Sequence, residues 1–248
     1  LIGTGMCFAF ARTSSTLVNW GDGLDYWGLA QGTHDSICAD AGYCTPSGTE
    51  RYDLAWLVRE VALTRRGAMP VLFGVLLTVL PNEHNTIYIL HFLMLGISSA
   101  LISHLLLRLR FPFWTAVLAG LLNALYIPAI INAMTILQQP MIRFSLILSI
   151  WAYAIAFTTS KRLTVWTMSG LGTVSAFVLS FSSFTTRPLM WIIPGLILLL
   201  SLTRRSKRSL FWSQLIFVGL QIACLVWIYQ VTVNFTFKFN PAEVNSYL

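Results

Sequence analysis

The sequence predicts an all-α fold: a polytopic transmembrane helical bundle with a long exterior first loop carrying interfacial helices. Three observations lead there. Hydrophobic residues make up 56% of the 248 and charged residues 10%, with a mean hydropathy of +0.71, a balance rare in soluble domains. Several uncharged runs approach the roughly 20 residues that a helix needs to cross a bilayer core. The basic residues gather in short loops between those runs, so the formal charge of +7 reads as membrane topology and excludes a nucleic-acid footprint.

The elements follow in order. Leu1–Ala11 is apolar and reads as the tail of a helix already under way. Residues 1–248 are therefore expected to be one membrane module within a longer protein. A signal peptide is not indicated, because no basic region precedes the apolar run. Thr13–Arg66 reads as a long polar loop with Asp22, Asp25, Asp35, Asp40, Glu50, Asp53 and Glu60. Its stretch Trp20–Gln31 sets Asp22 and Asp25 among glycines and aromatics, and Gly21 and Gly23 suit a sharp turn around Asp22. That acidic turn is either a plain solvated loop or a surface facing a charged or sugar substrate.

Within the same loop, Leu54, Leu57, Val61 and Leu63 have the spacing of a short helix lying at the membrane interface. Ala68–Leu80 is apolar but too short to cross, and Pro81 ends it, so it reads as a half-membrane or re-entrant helix. Full spans are expected at Thr86–Leu107, Phe111–Ile131, Met141–Phe157, Leu163–Phe181, Leu189–Leu202 and Leu210–Tyr229, with a bend at Pro194. Gly120 with Ala119, and Gly170 with Gly172, put small residues where helices can approach closely. No internal repeat stands out.

Charge gives the sidedness. Arg108 and Arg110, Lys161 and Arg162, and Arg204, Arg205, Lys207 and Arg208 fall between alternate pairs of spans, which predicts cytoplasmic loops there. The remaining loops, the tail from residue 231 to 248 and all nine acidic residues then face the exterior, provided that Ala68–Leu80 does not cross. No acid lies inside an expected span, which argues against a proton-coupled transporter. Arg65, Arg66, Arg143 and Arg187 lie at exterior helix ends, against the positive-inside bias. An anionic partner such as lipid phosphate would hold them there, and snorkelling to headgroups is the alternative.

Of the four cysteines, Cys38 and Cys44 share the exterior loop, where a disulfide is allowed. Only His34 and nearby acids would complete a metal site with them, and no metal ligand set is assigned. Cys7 and Cys224 sit in apolar runs and read as packing residues. Asn234-Phe235-Thr236 matches a glycosylation acceptor, a triplet frequent by chance.

The order of these parts resembles a known family. Gly21-Asp22 with Tyr26 and Leu29-Ala30, just after a first helix, is similar to the first exterior loop of GT-C type membrane glycosyltransferases, in particular the protein O-mannosyltransferase and aminoarabinose transferase group. Arg65-Arg66-Gly67-Ala68-Met69-Pro70 stands where that family has a basic residue and a proline-containing short helix, though without its usual proline pair. Thr186-Arg187-Pro188 resembles the family's threonine-basic-proline step, and Val226-Trp227-Ile228 its segment after the eighth helix. The likeness covers nearly the whole chain and lies in order and spacing. One departure is Gln138-Gln139-Pro140, where the family often has an acid.

The resemblance implies a multi-pass protein of the bacterial inner membrane or its equivalent, with the active site on the exterior face. A polyprenyl-phosphate sugar is then the donor, and an acceptor hydroxyl on a lipid, glycan or protein attacks with inversion while the lipid phosphate leaves. Asp22 is the implied base, with Asp25 as substitute or as a cap on the following turn. Arg65 is first in line for the donor phosphate, with Arg66 and Arg187 beside it. A divalent metal is compatible with the chemistry, but nothing in the sequence requires one, and nucleic acid is not an expected partner. Two other readings compete: a transporter or flippase of lipid-linked intermediates, and an inactive subunit keeping the fold without the chemistry. The flippase would need a polar path, for which the spans offer His91, His104, Asn123, Asn132 and Gln221. A lone polar residue in a span is more often an interhelical hydrogen bond.

Overall fold

The computed structural model describes residues 23–41, 69–81, 83–134, 138–182, 189–202 and 208–236. The described residues form nine helices and no strand: α1 (Gly23–Ala41), α2 (Met69–Leu77), α3 (His84–Arg108), α4 (Phe113–Ala124), α5 (Ile127–Ala133), α6 (Gln139–Thr158), α7 (Arg162–Ser182), α8 (Leu189–Leu202) and α9 (Arg208–Thr236). Three of them, His84–Arg108, Gln139–Thr158 and Arg208–Trp227, are long and apolar enough to cross a membrane. The pair α4 and α5 makes a fourth if its two halves are one span.

The expected span Phe111–Ile131 is therefore not one straight helix. Its halves meet at 48°, and the sequence at the break explains why. Proline in a helix lacks the amide hydrogen and its ring collides with the carbonyl four residues back. Pro128 would meet the carbonyl of Ala124, and Ala124 is where α4 ends. Tyr126 then takes an extended backbone as the cap of α5, with Pro128 in its first turn. The expected span Leu163–Phe181 is helical within α7, which has 21 residues. Leu189–Leu202 has 14 residues with Pro194 inside, about 21 Å of helix, short of the roughly 30 Å core. α2, at nine residues, is the short apolar helix expected before Pro81.

The largest correction lies in the expected polar loop. Gly23–Ala41 is a 19-residue helix, so Gly23 begins a helix and does not close a tight turn. The signal for it was present: Tyr26, Leu29, Ala30, Thr33 and Cys38 recur at helical spacing, and all are buried. Their mixed polarity masks that period. Thr33 and Ser36 each return a hydrogen bond to the carbonyl four residues back, at 2.8 Å, which lets hydroxyls lie within a helix.

Interhelical packing follows the small residues. α6 lies against α7 and α3, α3 against α4, and α1 against α2. At Gly120 a side chain would run into Ser103 and the carbonyl of Ser99 on α3, and at Gly172 into the ring of Tyr153, 3.0 Å away. Gly74 brings α2 against Ala30 and Thr33 of α1. The sequence expectation for Gly120, Gly170 and Gly172 holds, while Gly74 went unread in an apolar run.

Polar groups bridge the same seams. Ser149 donates to the carbonyl of Gly172 at 2.9 Å, the hydroxyls of Tyr153 and Thr173 meet at 2.9 Å, and Ser213 donates to Ser169 at 3.0 Å. The Trp151 indole donates to Nδ1 of His104 at 3.0 Å. His104 is thus an interhelical acceptor, as a lone span histidine was expected to be.

α3 ends in a Schellman motif: Phe111 N–H bonds the carbonyl of Leu106, and Arg110 N–H that of Leu107, both at 3.0 Å. Arg110 has φ of 65°, a place where glycine is usual. Its charge beside the helix C-terminus offsets part of that cost.

Because the α3–α4 seam closes on Gly120, Gly120→Val should destabilise the protein by about 1–3 kcal/mol through overpacking. Gly96, with open space around it, should tolerate alanine. Thermal unfolding in detergent measures both, and an unchanged midpoint for Gly120→Val would refute the close approach.

Candidate functional site

Two ends of the bundle differ in chemistry. Arg108 at the C-terminus of α3 bonds the Thr158 hydroxyl at the C-terminus of α6, 3.3 Å away, so those two ends coincide. Ala156, Val165 and Leu210 form one buried cluster, which brings the starts of α7 and α9 to the same place. Arg108, Arg110, Lys161, Arg162 and Arg208 therefore share one end, as the alternation of basic loops predicted.

The starts of α1, α3 and α6 meet at the other end. Tyr26, Ile87, Tyr88, Phe92, Met134 and Met141 belong to one buried cluster with α2 residues Met69, Phe73 and Leu77. The Trp27 ring stacks on His84, with centroids 3.8 Å apart and planes at 28°. This fixes the N-terminal part of α1 against the first turn of α3. Asp25 is the third residue of α1 and so belongs to this end. Asp22, Arg65, Arg66 and Arg187 lie outside the described residues, as do Cys44, Asn82 and the expected interfacial helix at 52–64.

Asp35, expected on a solvated loop, is wholly buried. Its carboxylate lies 2.9 Å from Nδ1 of the adjacent His34, while Nε2 of that ring lies 3.3 Å from Sγ of Cys38. Cys38 is disulfide-bonded, with its partner outside the described residues. Such a buried polar pair is costly to break, because the group that remains is left without its partner. Among the described residues no group of three or more His, Cys, Asp or Glu is arranged to hold a metal.

The polar feature that sequence reasoning left between two explanations is Arg143. It lies in the first turns of α6 and is half-buried. Its Nη2 donates to Oδ1 of Asn123 on α4. Asn123 in turn donates through Nδ2 to Ser99 at 2.8 Å, and Ser99 donates to the carbonyl of Leu95 at 2.9 Å. The Tyr126 ring covers the guanidinium, 5.2 Å from centroid to Cζ, within range of a cation–π contact. No carboxylate among the described residues pairs with it. A pocket opens beside it, lined by Leu95, Ser98, Asn132, Gln139, Pro140 and Arg143 among others.

The network answers why Arg143 is not simply snorkelling. A snorkelling arginine runs its stem along the helix to reach water, whereas this one is turned across onto a neighbouring helix and under a ring. The break between α4 and α5 is what puts Tyr126 there. The sequence signal available was the arginine itself, placed against the charge bias. Its partners, Asn123 on α4 and Tyr126 at the break before α5, lie outside α6 and were legible only after folding.

Compared with protein-family models, with curated proteins and with solved structures, the chain matches none.

The two-ended arrangement makes a direct prediction. Phe111 and Gln139 are exposed at opposite ends of the bundle. Single variants Phe111→Cys and Gln139→Cys in membranes should react with an impermeant maleimide from opposite sides, above the background of the parent protein. Labelling of both from one side would refute a bundle that crosses.

Proposed function

We propose that this chain is the membrane module of a glycosyltransferase that moves a sugar from a polyprenyl-phosphate donor to an acceptor hydroxyl on the exterior face, with inversion. The observation that carries the reading is the separation of two ends: the start of α1, which follows Asp22 directly in the sequence, is stacked through Trp27 on His84 and packs with the starts of α3 and α6, away from the end where Arg108, Lys161 and Arg208 gather. A carboxylate and a guanidinium at one membrane-facing end are what the chemistry asks for. The carboxylate orients or deprotonates the attacking hydroxyl. The cation stabilises charge building on the departing phosphate. The end rich in arginine and lysine lies opposite, which supports an exterior reaction under the positive-inside rule.

In this reading Asp22 is the base, and Arg65, with Arg66 and Arg187, holds the donor phosphate. Asp25, the third residue of α1, is the substitute base or else a stabiliser of the helix start, where acidic residues favour the positive end of the helix dipole. A flippase would need a continuous polar route. His104 and Asn123 are instead engaged across helix seams, which supports packing roles for them.

Transfer of labelled sugar from polyprenyl phosphate, in membranes carrying variants of the full-length protein, tests the reading. Asp22→Asn should reduce transfer by about 10²–10⁴-fold, the usual contribution of general-base catalysis, with expression intact. Asp25→Asn should cost about 1 kcal/mol or less of stability and little activity. Arg65→Ala should weaken donor use roughly ten- to a hundred-fold, with partial retention in Arg65→Lys. Normal transfer by Asp22→Asn would sink the assignment, and activity in neither variant nor parent would favour the scaffold reading.

A further inference from the structure

We infer that the pocket between α3, α5 and the first turn of α6 is a phosphate-binding site, in which the free edge of the Arg143 guanidinium holds the phosphate of a membrane lipid. The inference needs no glycosyl transfer and stands apart from the roles given to Asp22 and Arg65.

A guanidinium offers five N–H donors in a rigid fork. One is used on Asn123. The others meet no acceptor among the described residues, and the pocket lies on that side chain. The Asn123–Ser99–Leu95 chain of hydrogen bonds and the Tyr126 face hold the group in one orientation without neutralising it. A fixed cation with an open fork matches a tetrahedral oxyanion, which accepts two parallel N–H bonds. Neutral partners and an adjoining pocket distinguish this arrangement from a structural ion pair.

Depth and chemistry select a phosphate on a lipid. Arg143 is the fifth residue of α6, about 6 Å along its axis, and so lies near headgroup level if α6 crosses. The amides of the first turn of α6 add positive potential at the same place. The two helices that line the pocket with α6 also carry exposed large hydrophobics, Leu93 and Ile97 on α3 and Ile127 and Ile131 on α5. A ligand with a phosphate head and a long apolar tail fits both parts. A soluble anion fits only the first.

The test is retention of ligands by the full chain, purified in detergent and examined by native mass spectrometry, with four probes: a polyprenyl phosphate, the corresponding uncharged polyprenol, phosphatidylglycerol and inorganic phosphate. The phosphorylated lipids should be retained at least about ten-fold better than the polyprenol, the usual weight of a charge-assisted contact. Arg143→Ala should lose about ten- to a hundred-fold, Arg143→Lys should keep part, and Asn123→Ala should lose a few-fold by freeing the guanidinium. Preference for polyprenyl phosphate over phosphatidylglycerol would name the carrier as occupant, and equal retention would name any lipid phosphate; both support the site. Displacement of either lipid by inorganic phosphate would support it as well, assigning recognition to the phosphate group itself. Polyprenol retained as strongly as its phosphate overturns the inference, a comparison that needs no variant to fold. Wild-type retention by Arg143→Ala overturns it too.

Discussion

A guanidinium in the first turns of a membrane-length helix cannot be left to the surrounding apolar side chains, because desolvating a charge costs several kcal/mol. Much of the described architecture around Arg143 follows from that constraint. α4 must present an acceptor, and Asn123 does so near its end. The chain must then turn, and Pro128 breaks the helix so that Tyr126 covers the charge. α3 must approach closely enough for Ser99 to hold Asn123, and Gly120 permits it. Four helices are thereby tied together by one cation and three neutral side chains.

The same economy governs the other seams. Hydroxyls of Ser149, Tyr153, Thr173, Ser169 and Ser213 are satisfied across α6, α7 and α9, where Gly170 and Gly172 let the helices close. Each such bond contributes well under 2 kcal/mol in a membrane-like setting. Their value lies in register, since an apolar seam alone would permit sliding. The buried pair of His34 and Asp35 serves α1 differently. It sits within a single helix beside a disulfide sulfur and fixes a face that would otherwise read as polar surface.

The proposed function depends on the separation of the two ends. Basic side chains collect at one, with the Schellman turn at Arg110 among them. The start of α1, the stack of Trp27 on His84 and the oriented Arg143 collect at the other. A membrane enzyme using a lipid-linked donor needs such asymmetry, because its substrate is held at a fixed depth by its tail. The proposed transfer and the inferred phosphate site both draw on this end, through different residues, and so stand or fall separately.

Composition and charge order determined the helical class, the candidate spans and the gathering of basic loops at one end, because hydrophobicity over about 20 residues and charge in short loops are local quantities. The small-residue approaches at Gly120, Gly170 and Gly172 were likewise legible, since a missing side chain marks a close contact in an apolar helix. Three things were decided only by the tertiary structure. Residues 23–41 fold as a helix although their polarity resembles a loop, because burial against α2 at Gly74 rewards the stripe from Tyr26 to Cys38. Phe111–Ile131 divides into two helices, because Pro128 cannot be accommodated and packing against α3 and α6 holds the bend. Arg143 acquires its orientation from Asn123 and Tyr126, 20 and 17 positions earlier in the sequence. No pattern along one helix announces partners on another, and that is why its binding edge appears only in the folded chain.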